Sequence, residues 1–386
     1  MNAMPRLLIL EALTDIAGGQ SVLIDVLPAL ISTYQVGAIV PGDGALQRAL
    51  QASDVVVFHA PMADYQLIKK SRADWLRFVV ETPRLALTAL RLIGQFNADL
   101  VYGNNSRTLV WGTLAASLAR RPMMWHIHNI FGDRKTLRLL AVMSQLGAVK
   151  RIVCASTQAA SQFKAAGTTA SKLSVLPNGV DLTRFAPSPT ARDGMRTQYH
   201  IDSGAPLAGI VGDLIPLKGQ LTFIEAARAV HARIPAARFW IIGQARPAEE
   251  SREYAATVQA RADGLPVDFI GFQSDMPAVL NALDVLVIAS TTETGPLVLL
   301  EALACGVPVL STPVGRAAEL LPDGGCGELF PIGDPDTLAI KMIAMLSNSG
   351  RRTAMGCAAR ERAVGQLSLE TFRARLLGEI ASVVLL

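Results

Sequence analysis

The sequence has no continuous apolar run approaching the roughly 18 residues that a membrane-spanning helix needs. Charged residues interrupt its richest apolar stretches; they are Asp25, Glu81, Arg84, Arg91 and Asp284. The first fifteen residues hold one basic residue and only a short apolar run before Glu11, too little for the core of a signal peptide. We therefore expect neither an integral membrane protein nor an exported one, and a cytoplasmic location.

Cysteine, aromatic residues and nucleotide-loop motifs are also scarce. Cys154, Cys305, Cys326 and Cys357 stand 151, 21 and 31 residues apart, so there is no CxxC pair and no disulfide framework. Aromatic residues make up 5% of the chain and do not interleave with an Arg/Lys-rich helix, which argues against nucleic acid as a partner. Neither GxGxxG after a strand nor a GxxxxGK loop is present, so we expect no dinucleotide cofactor and no Mg²⁺-bound nucleoside triphosphate.

What the chain does have is length, apolar residues and an uneven charge. With 386 residues, of which 51% are hydrophobic and 18% charged, it is long enough for two domains, each with its own core. Residues 1–185 contain 19 Lys and Arg against 11 Asp and Glu, and residues 186–386 contain 17 against 21. The basic first half indicates an anionic partner, either a phosphorylated ligand or an anionic membrane surface.

Short β-branched apolar runs alternate with stretches of helical period, which is typical of α/β domains with parallel strands. We predict strands at 7–11, 36–40, 55–59, 100–102, 123–128, 151–154 and 173–176. After a polar linker at 187–194, further strands are predicted at 207–211, 238–242, 267–270, 285–288 and 307–310. The stretch 367–386 is predicted to be a last amphipathic helix. Because ligands bind beyond the carboxyl ends of parallel strands, function is expected in the loops there.

The segment STTETGPLVLLEALACGVPVLSTPVG at 290–315 is the most informative one. Its Gly295-Pro296 turn leads into a helix predicted over 297–304, which ends at Gly306. Free amides at such a helix start bind phosphate readily. Glu293 before the turn and Glu301 inside the helix could then bond hydroxyls on either side of a diphosphate. The alternative is that both are ordinary exposed residues.

Three weaker signals lie in other loops. Lys218, after a strand that ends in VGD, could hold a phosphate or be a solvated loop residue. Gly18-Gly19, after the first strand, could let the backbone approach a ligand or simply make a turn. His126 and His128 alternate on one strand and so share a face, but without a third ligand nearby in sequence they favour core or strand-end histidines over a metal site.

Taken together, and in this order along nearly the whole chain, these segments resemble the family 4 glycosyltransferases, which are retaining enzymes with the GT-B fold. The motifs are Gly18-Gly19, the strand-end histidine, PNGVDLTRF at 177–185, VGDLIPLKG at 211–219, IIG at 241–243 and ETGPLVLLEALACGVPV at 293–309. The resemblance implies two Rossmann-like lobes whose parallel sheets face across a cleft. Residues 1–185 would form the acceptor lobe, on which 367–386 packs, and residues 186–366 the nucleotide-sugar lobe.

The resemblance also implies roles for single residues. Glu293, His128 and Lys218 would be catalytic: Glu293 would hold hydroxyls of the donor sugar, His128 rather than His126 would lie beside that sugar, and Lys218 would contact the diphosphate. Glu301 would bind the ribose. The amides of Leu297 and Val298 would complete the phosphate-binding site. The donor-binding set comprises Gly18, Gly19, Asp213, Lys218, Gly243, Phe272, Gly295, Pro296, Leu297, Val298 and Glu301.

One departure from the family pattern concerns charge. Family members usually have an arginine second in the segment that here reads Gly212-Asp213-Leu214, and that arginine shares the diphosphate charge with the lysine. An aspartate in its place would weaken diphosphate binding by about 1–3 kcal/mol unless another basic residue compensates or Asp213 points away. The histidine strand, HIHN, also departs mildly from the commoner histidine-aspartate ending.

The implied reaction moves a hexose-type sugar from a nucleoside diphosphate, UDP by family frequency, to a glycan or lipid-linked acceptor with retained configuration and without a metal or other cofactor. The segment 65–95 is predicted to be a basic amphipathic helix. Its cations, which lie among apolar residues, are Lys69, Lys70, Arg72, Arg77, Arg84 and Arg91. Such a helix could lie peripherally on the anionic inner face of a membrane or simply pack its leucines on the core.

Two alternative functions stay open: a nucleotide-sugar 2-epimerase or phosphorylase on the same fold, and a non-catalytic nucleotide-sugar-binding relative.

Overall fold

The computed structural model describes residues 4–62, 72–321 and 325–384. The chain forms two compact units, Met1–Asn178 with Glu370–Leu386, and Gly179–Leu369. The chain therefore crosses from the first unit to the second between residues 178 and 179 and crosses back between residues 369 and 370. The boundaries expected from the sequence were 185/186 and 366/367. Val180 explains the earlier crossing, because its amide donates to Leu367 O at 2.8 Å and its carbonyl accepts from Leu369 N at 3.0 Å. This short parallel bridge ties both crossing segments to the second unit.

The first unit is built on a seven-stranded parallel sheet. Its strands are β1 (Arg6–Leu10), β2 (Gln35–Val40), β3 (Val56–His59), β4 (Leu100–Gly103), β5 (Met123–Ile127), β6 (Val149–Cys154) and β7 (Leu173–Val175). Its helices before the crossing are α1 (Gly18–Ile31), α2 (Ala45–Gln51), α3 (Arg72–Phe96), α4 (Leu109–Leu118), α5 (Arg134–Ser144) and α6 (Thr157–Ala165). The order β3-β2-β1-β4-β5-β6-β7 makes β1, β4 and β5 neighbours.

The second unit has a six-stranded parallel sheet in the described part of the chain. Its strands are β8 (Leu207–Val211), β9 (Arg238–Ile242), β10 (Val267–Gly271), β11 (Val285–Ile288), β12 (Val309–Ser311) and β13 (Gly327–Leu329). Its helices are α7 (Pro189–Gln198), α8 (Gln220–Arg233), α9 (Glu249–Arg261), α10 (Met276–Ala282), α11 (Leu297–Ala304), α12 (Ala317–Leu320), α13 (Pro335–Leu346) and α14 (Ser349–Gln366). The order is β10-β9-β8-β11-β12-β13, so β8 lies between β9 and β11.

Burial on both faces explains why these strands read as unbroken apolar runs. In β9, Phe239 and Ile241 belong to the core on one face of the sheet, and Trp240 and Ile242 belong to the core on the other. The same alternation runs through the neighbouring strands. The predicted α/β class with two parallel sheets is confirmed.

Two predicted local features were wrong. The segment 187–194 is not a linker, because Pro189 begins α7 and the Ser188 hydroxyl caps it by accepting from Ala191 N at 3.2 Å. Gly18 and Gly19 do not lie in a loop but form the first turn of α1. The strand β13 was missed, since it has three residues and includes Gly327 and Glu328.

The last helix, α15 (Leu369–Val384), belongs to the first unit apart from its first residue. Phe372, Leu376, Ile380 and Val383 recur at helical spacing and are buried. At the polar edge, Glu379 accepts a hydrogen bond from Ser174 at 2.5 Å and pairs with Arg151 at 3.0 Å. The expected packing of the C-terminal helix on the first lobe is thus present.

Candidate active site

In the second unit, the loop after β8 is held against the end of β11. Gly219 has φ +73°, and a Cβ atom there would lie 2.1 Å from Ala289 O, so only glycine permits this contact. The amide of Thr291 donates to Leu217 O at 2.9 Å across the same junction. Lys218 is therefore fixed at the carboxyl edge of the sheet, next to the loop that carries Glu293.

Lys218 and Glu293, which are 75 positions apart in sequence, form an ion pair. The Lys218 ammonium donates to Glu293 Oε1 at 2.6 Å, and the Ser290 hydroxyl donates to the same oxygen at 3.1 Å. The two charged side chains are 26% and 17% exposed, so both keep access to solvent. A charge-assisted bond of this kind orients the carboxylate while leaving its second oxygen for a ligand.

Helix α11 begins at Leu297 as predicted, and Gly306 lies just past its end with φ +72°. Pro296 occupies the N-cap position, and no side chain caps the helix. Its first amides, those of Leu297 and Val298, lie on partly exposed residues at the positive end of the helix dipole. Glu301 follows one turn later and is also partly exposed.

The turn before α11 is supported by a glycine that the sequence analysis did not single out. Gly315 has φ +53°, and a Cβ atom there would lie 2.9 Å from Thr294 O and 3.1 Å from Gly295 N. The loop after β12 thus packs directly on the Gly295-Pro296 turn. This contact holds the turn in place below the helix amides.

The loops after β8 and β9 also touch through glycines. Gly243 has φ +133°, and a Cβ atom there would lie 2.1 Å from Gly212 O; a Cβ atom on Gly212 would lie 3.0 Å from Lys218 Cδ. Asp213, the next residue, pairs with Arg246 through Oδ2 and the guanidinium Nε at 2.6 Å. Asp213 therefore brings a second cation to the loop that carries Lys218.

Two predicted donor-binding residues have few neighbours. Phe272 follows β10 and is 69% exposed. Gly18 has open space where a side chain would be.

In the first unit, His128 directly follows β5 and contacts Asn104, which follows β4, and Gly19 of α1. Its Nε2 lies 3.1 Å from Asn104 Oδ1, and the Asn104 amide donates to Glu11 Oε2 at 2.8 Å and to Gly19 O at 3.3 Å. A Cβ atom on Gly19 would lie 3.2 Å from the His128 ring, so glycine lets α1 approach the histidine. Burial lowers the pKa of His128 to about 4.

Glu11 lies at the end of β1 and is fully buried. Burial raises the pKa of its carboxyl, and hydrogen bonds from Asn104, the Ala12 amide and other neighbours oppose that rise. His126 lies deeper than His128 and hydrogen-bonds Tyr102 OH through Nδ1 at 2.5 Å. Burial lowers the pKa of His126 well below its usual value. His126 thus fits the core histidine of the sequence analysis.

The structure brings the candidate residues together in two groups, one in each unit. Lys218, Glu293, Asp213, Gly243 and the start of α11 meet at the carboxyl edge of the second sheet; Gly19 and His128 meet at that of the first. Sequence reasoning missed Arg246, Ser290, Asn104 and Glu11 as members. Glu11 and Asn104 carry one signal that could have revealed them, since both are polar residues directly after buried strands.

Two family models match the chain. "Glycosyltransferase Family 4" matches residues 16–184, and "Glycosyl transferases group 1" matches residues 205–348. The chain belongs to the family 4 glycosyltransferases. A GDP-mannose-dependent alpha-(1-6)-phosphatidylinositol monomannoside mannosyltransferase of Mycolicibacterium smegmatis is 29% identical to this glycosyltransferase over 76% of the chain and 79% of the relative. A UDP-Gal:alpha-D-GlcNAc-diphosphoundecaprenol alpha-1,3-galactosyltransferase of Escherichia coli is 27% identical over 67% of the chain and 69% of the relative.

Solved structures show the same fold. HepE of Anabaena, crystallised with UDP and glucose, has a TM-score of 0.82 at 23% identity and covers 97% of this glycosyltransferase and 99% of its own chain. WaaG, a glycosyltransferase involved in lipopolysaccharide biosynthesis, has a TM-score of 0.72 at 19% identity over 96% and 98%. The predicted GT-B fold is confirmed.

Proposed function

We propose that the protein is a retaining glycosyltransferase that moves a hexose-type sugar from a nucleoside diphosphate, UDP in the first instance, to a glycan or lipid-linked acceptor. Family membership supports sugar transfer from a nucleotide sugar. The observation that carries the proposal is the Lys218–Glu293 ion pair at 2.6 Å in the loops next to the start of α11. It joins a phosphate-binding cation and a hydroxyl-binding carboxylate in one site.

The reaction breaks the bond between the sugar and the diphosphate, on which negative charge grows. Lys218 and the first amides of α11 are positioned to bind that charge, and groups held in place beforehand stabilise a transition state most effectively. Glu293 then releases the lysine and keeps one carboxylate oxygen on Ser290 while the other accepts from a sugar hydroxyl. Because His128 is neutral at pH 7, it serves as a hydrogen-bonding group beside the sugar.

We further propose that transfer needs no metal ion, because amides and an ammonium neutralise the leaving group. The chain has one Asp-x-Asp pattern, at Asp334-Pro335-Asp336. Its first carboxylate caps α13 instead, accepting from Thr337 N at 2.9 Å and from Thr337 Oγ1 at 2.6 Å. Transfer is expected to survive a chelator. Activity that a chelator abolishes and Mn²⁺ restores would contradict this part of the proposal.

The test of the reaction incubates the protein with UDP- and GDP-sugars and a cell extract and determines the product's anomeric configuration by NMR. Lys218→Met is expected to lower kcat/KM at least 100-fold. Lys341→Met is a matched control, since Lys341 pairs with Glu328 at the same 2.6 Å and the same 26% exposure, away from the site. Nucleotide binding without transfer or hydrolysis would favour the non-catalytic relative, and altered sugar stereochemistry in the free donor would favour the epimerase.

Helix α3 supports the proposal of a lipid-linked acceptor. Leu76, Val79, Val80 and Leu87 on this helix are 61–67% exposed. The exposed arginines Arg77, Arg84 and Arg91 recur every seven residues and so form a row beside these apolar side chains. We propose that this face lies on an anionic membrane. Lys69 and Lys70 are outside the described residues, as is the side chain of Arg72. No helix in the described ranges combines the length and apolarity needed to cross a bilayer.

Vesicle flotation tests this surface. The protein is expected to float with vesicles that contain phosphatidylglycerol and to stay behind with phosphatidylcholine alone. The double variant Leu76→Glu, Val80→Glu should lose flotation. As a control, Ile340→Glu, Val364→Glu changes two equally apolar exposed residues of the second unit and should float normally. Flotation that is equal for both double variants would contradict the assignment to α3.

A further inference from the structure

The backbone at Arg246 is held close to the proposed diphosphate site by two independent contacts. The buried Ser251 hydroxyl accepts from Arg246 N at 2.9 Å and donates to Leu214 O at 2.7 Å, so it clamps the loop after β9 onto the loop after β8. Gly243 packs against Gly212 in the same junction. The position of Arg246 relative to Asp213 is therefore set by the backbone and not by the ion pair alone.

The ion pair itself leaves part of the guanidinium for a ligand. Nε and Nη2 of Arg246 both face Asp213 Oδ2. An arginine side chain carries five N–H donors in a planar fork, so Nη1 lies beyond this contact. The two side chains are 32% and 36% exposed, which keeps the outer edge of the guanidinium accessible to a bound anion.

Charge balance indicates what this arginine does. The loop cluster holds two carboxylates, on Asp213 and Glu293, and two cations, on Lys218 and Arg246. Without Arg246 the cluster would carry a net negative charge, which opposes the binding of a diphosphate. With it, the cluster is neutral before a donor arrives, and both cations can turn toward phosphate oxygens.

We propose that Arg246 binds the diphosphate of the donor together with Lys218, and that Asp213 orients its guanidinium for this role. The inference rests on the proposed function, because it assumes that a nucleoside diphosphate binds at the edge of the second sheet. In this chain the second cation, Arg246, comes from the loop after β9, and Asp213 in the loop after β8 orients it.

Isothermal titration calorimetry with UDP and GDP tests the proposal. Arg246→Gln is expected to raise Kd about 10- to 100-fold, which corresponds to losing one charge-assisted hydrogen-bonded contact. Arg246→Lys should recover part of the affinity, because it keeps the charge but not the fork. Uridine and guanosine, which lack phosphates, should bind the wild type and Arg246→Gln equally.

Arg238→Gln is the matched control. Arg238 pairs with Asp268 at 3.0 Å, is 34% exposed, and lies at the opposite end of the same strand, β9. Its loss should change Kd less than twofold. An unchanged Kd in Arg246→Gln, or an equal rise in both variants, would overturn the role of Arg246. A wild type that binds no nucleoside diphosphate would instead overturn the proposed function.

Discussion

Asn104 decides which nitrogen of His128 carries the proton. Its amide nitrogen donates to Glu11 Oε2 and to Gly19 O, and a backbone carbonyl can only accept. The Asn104 oxygen must therefore face His128, whose Nε2 has to donate to it. The ring is held as the tautomer that is protonated at Nε2, with Nδ1 as an acceptor. Asn104 thus positions His128 without itself belonging to the motif.

We expect Asn104→Ala to lower kcat about 10- to 100-fold and to leave the donor KM within about twofold. The ring would lose its anchor and its fixed tautomer, while the second unit would still bind the donor. Initial rates at several donor concentrations measure both constants. Gln145→Ala removes another side-chain amide of the first unit, one that is exposed, and should leave kcat unchanged. A rise in KM alone would show that Asn104 serves binding and not positioning.

The low pKa of His128 predicts a stability effect of known sign. Its pKa is about 4 in the fold and 6.5 in the reference state, so between these values the unfolded chain binds a proton that the folded chain does not. The free energy of unfolding must therefore fall as the pH falls through this window. Between pH 7.5 and 5, the wild type should lose about 1–2 kcal/mol more than His128→Gln in urea denaturation. Equal losses of unfolding free energy in the wild type and His128→Gln would refute the lowered pKa of His128.

At the scale of elements, the strands were predictable because burial on both faces leaves a run of apolar residues that few other structures produce. The helix α11 was predictable from its Gly-Pro start and its glycine end. The helix α7 was not, since its polar sequence resembles a linker and its ion pairs involve residues about 90 positions away. Arg246, Asn104 and Glu11 were missed for the same reason: their partners come from other strands.

Helix α7 is anchored to the start of β11 by Asp284. This carboxylate, 9% exposed, accepts from Arg192 at 2.7 Å and from the buried Arg196 at 2.9 Å. Asp284→Asn should lower the free energy of unfolding by about 3–5 kcal/mol, because it leaves a buried guanidinium without its counter-charge. Asp268→Asn, which breaks a pair that is about one third exposed, should cost less than about 1 kcal/mol. Similar costs, measured by urea denaturation, would contradict this account.

At the scale of the whole molecule, the chain leaves the first unit at residue 178 and returns to it at residue 370. The first unit is therefore completed only when α15 packs on it, while the second unit is continuous in sequence. The family resemblance already implied that 367–386 packs on this unit, but it did not indicate which side chains hold the helix there. The dependence rests on the buried side of α15 and on the bonds of Glu379 to Arg151 and Ser174.

Ending the chain after Leu369, the last residue of the second unit, is therefore expected to destabilise the first unit selectively. The truncation removes the buried Phe372, Leu376, Ile380 and Val383, and each large apolar residue lost from a core costs about 2–5 kcal/mol. Thermal denaturation should show a transition that moves to much lower temperature, while UDP or GDP still binds to the second unit in calorimetry. Leu376→Ala should give a smaller shift in the same direction. The contacts that hold Lys218, Glu293 and Arg246 all lie within residues 179–369, so nucleotide binding should not need the first unit. Loss of nucleotide binding together with the loss of that transition would contradict this independence.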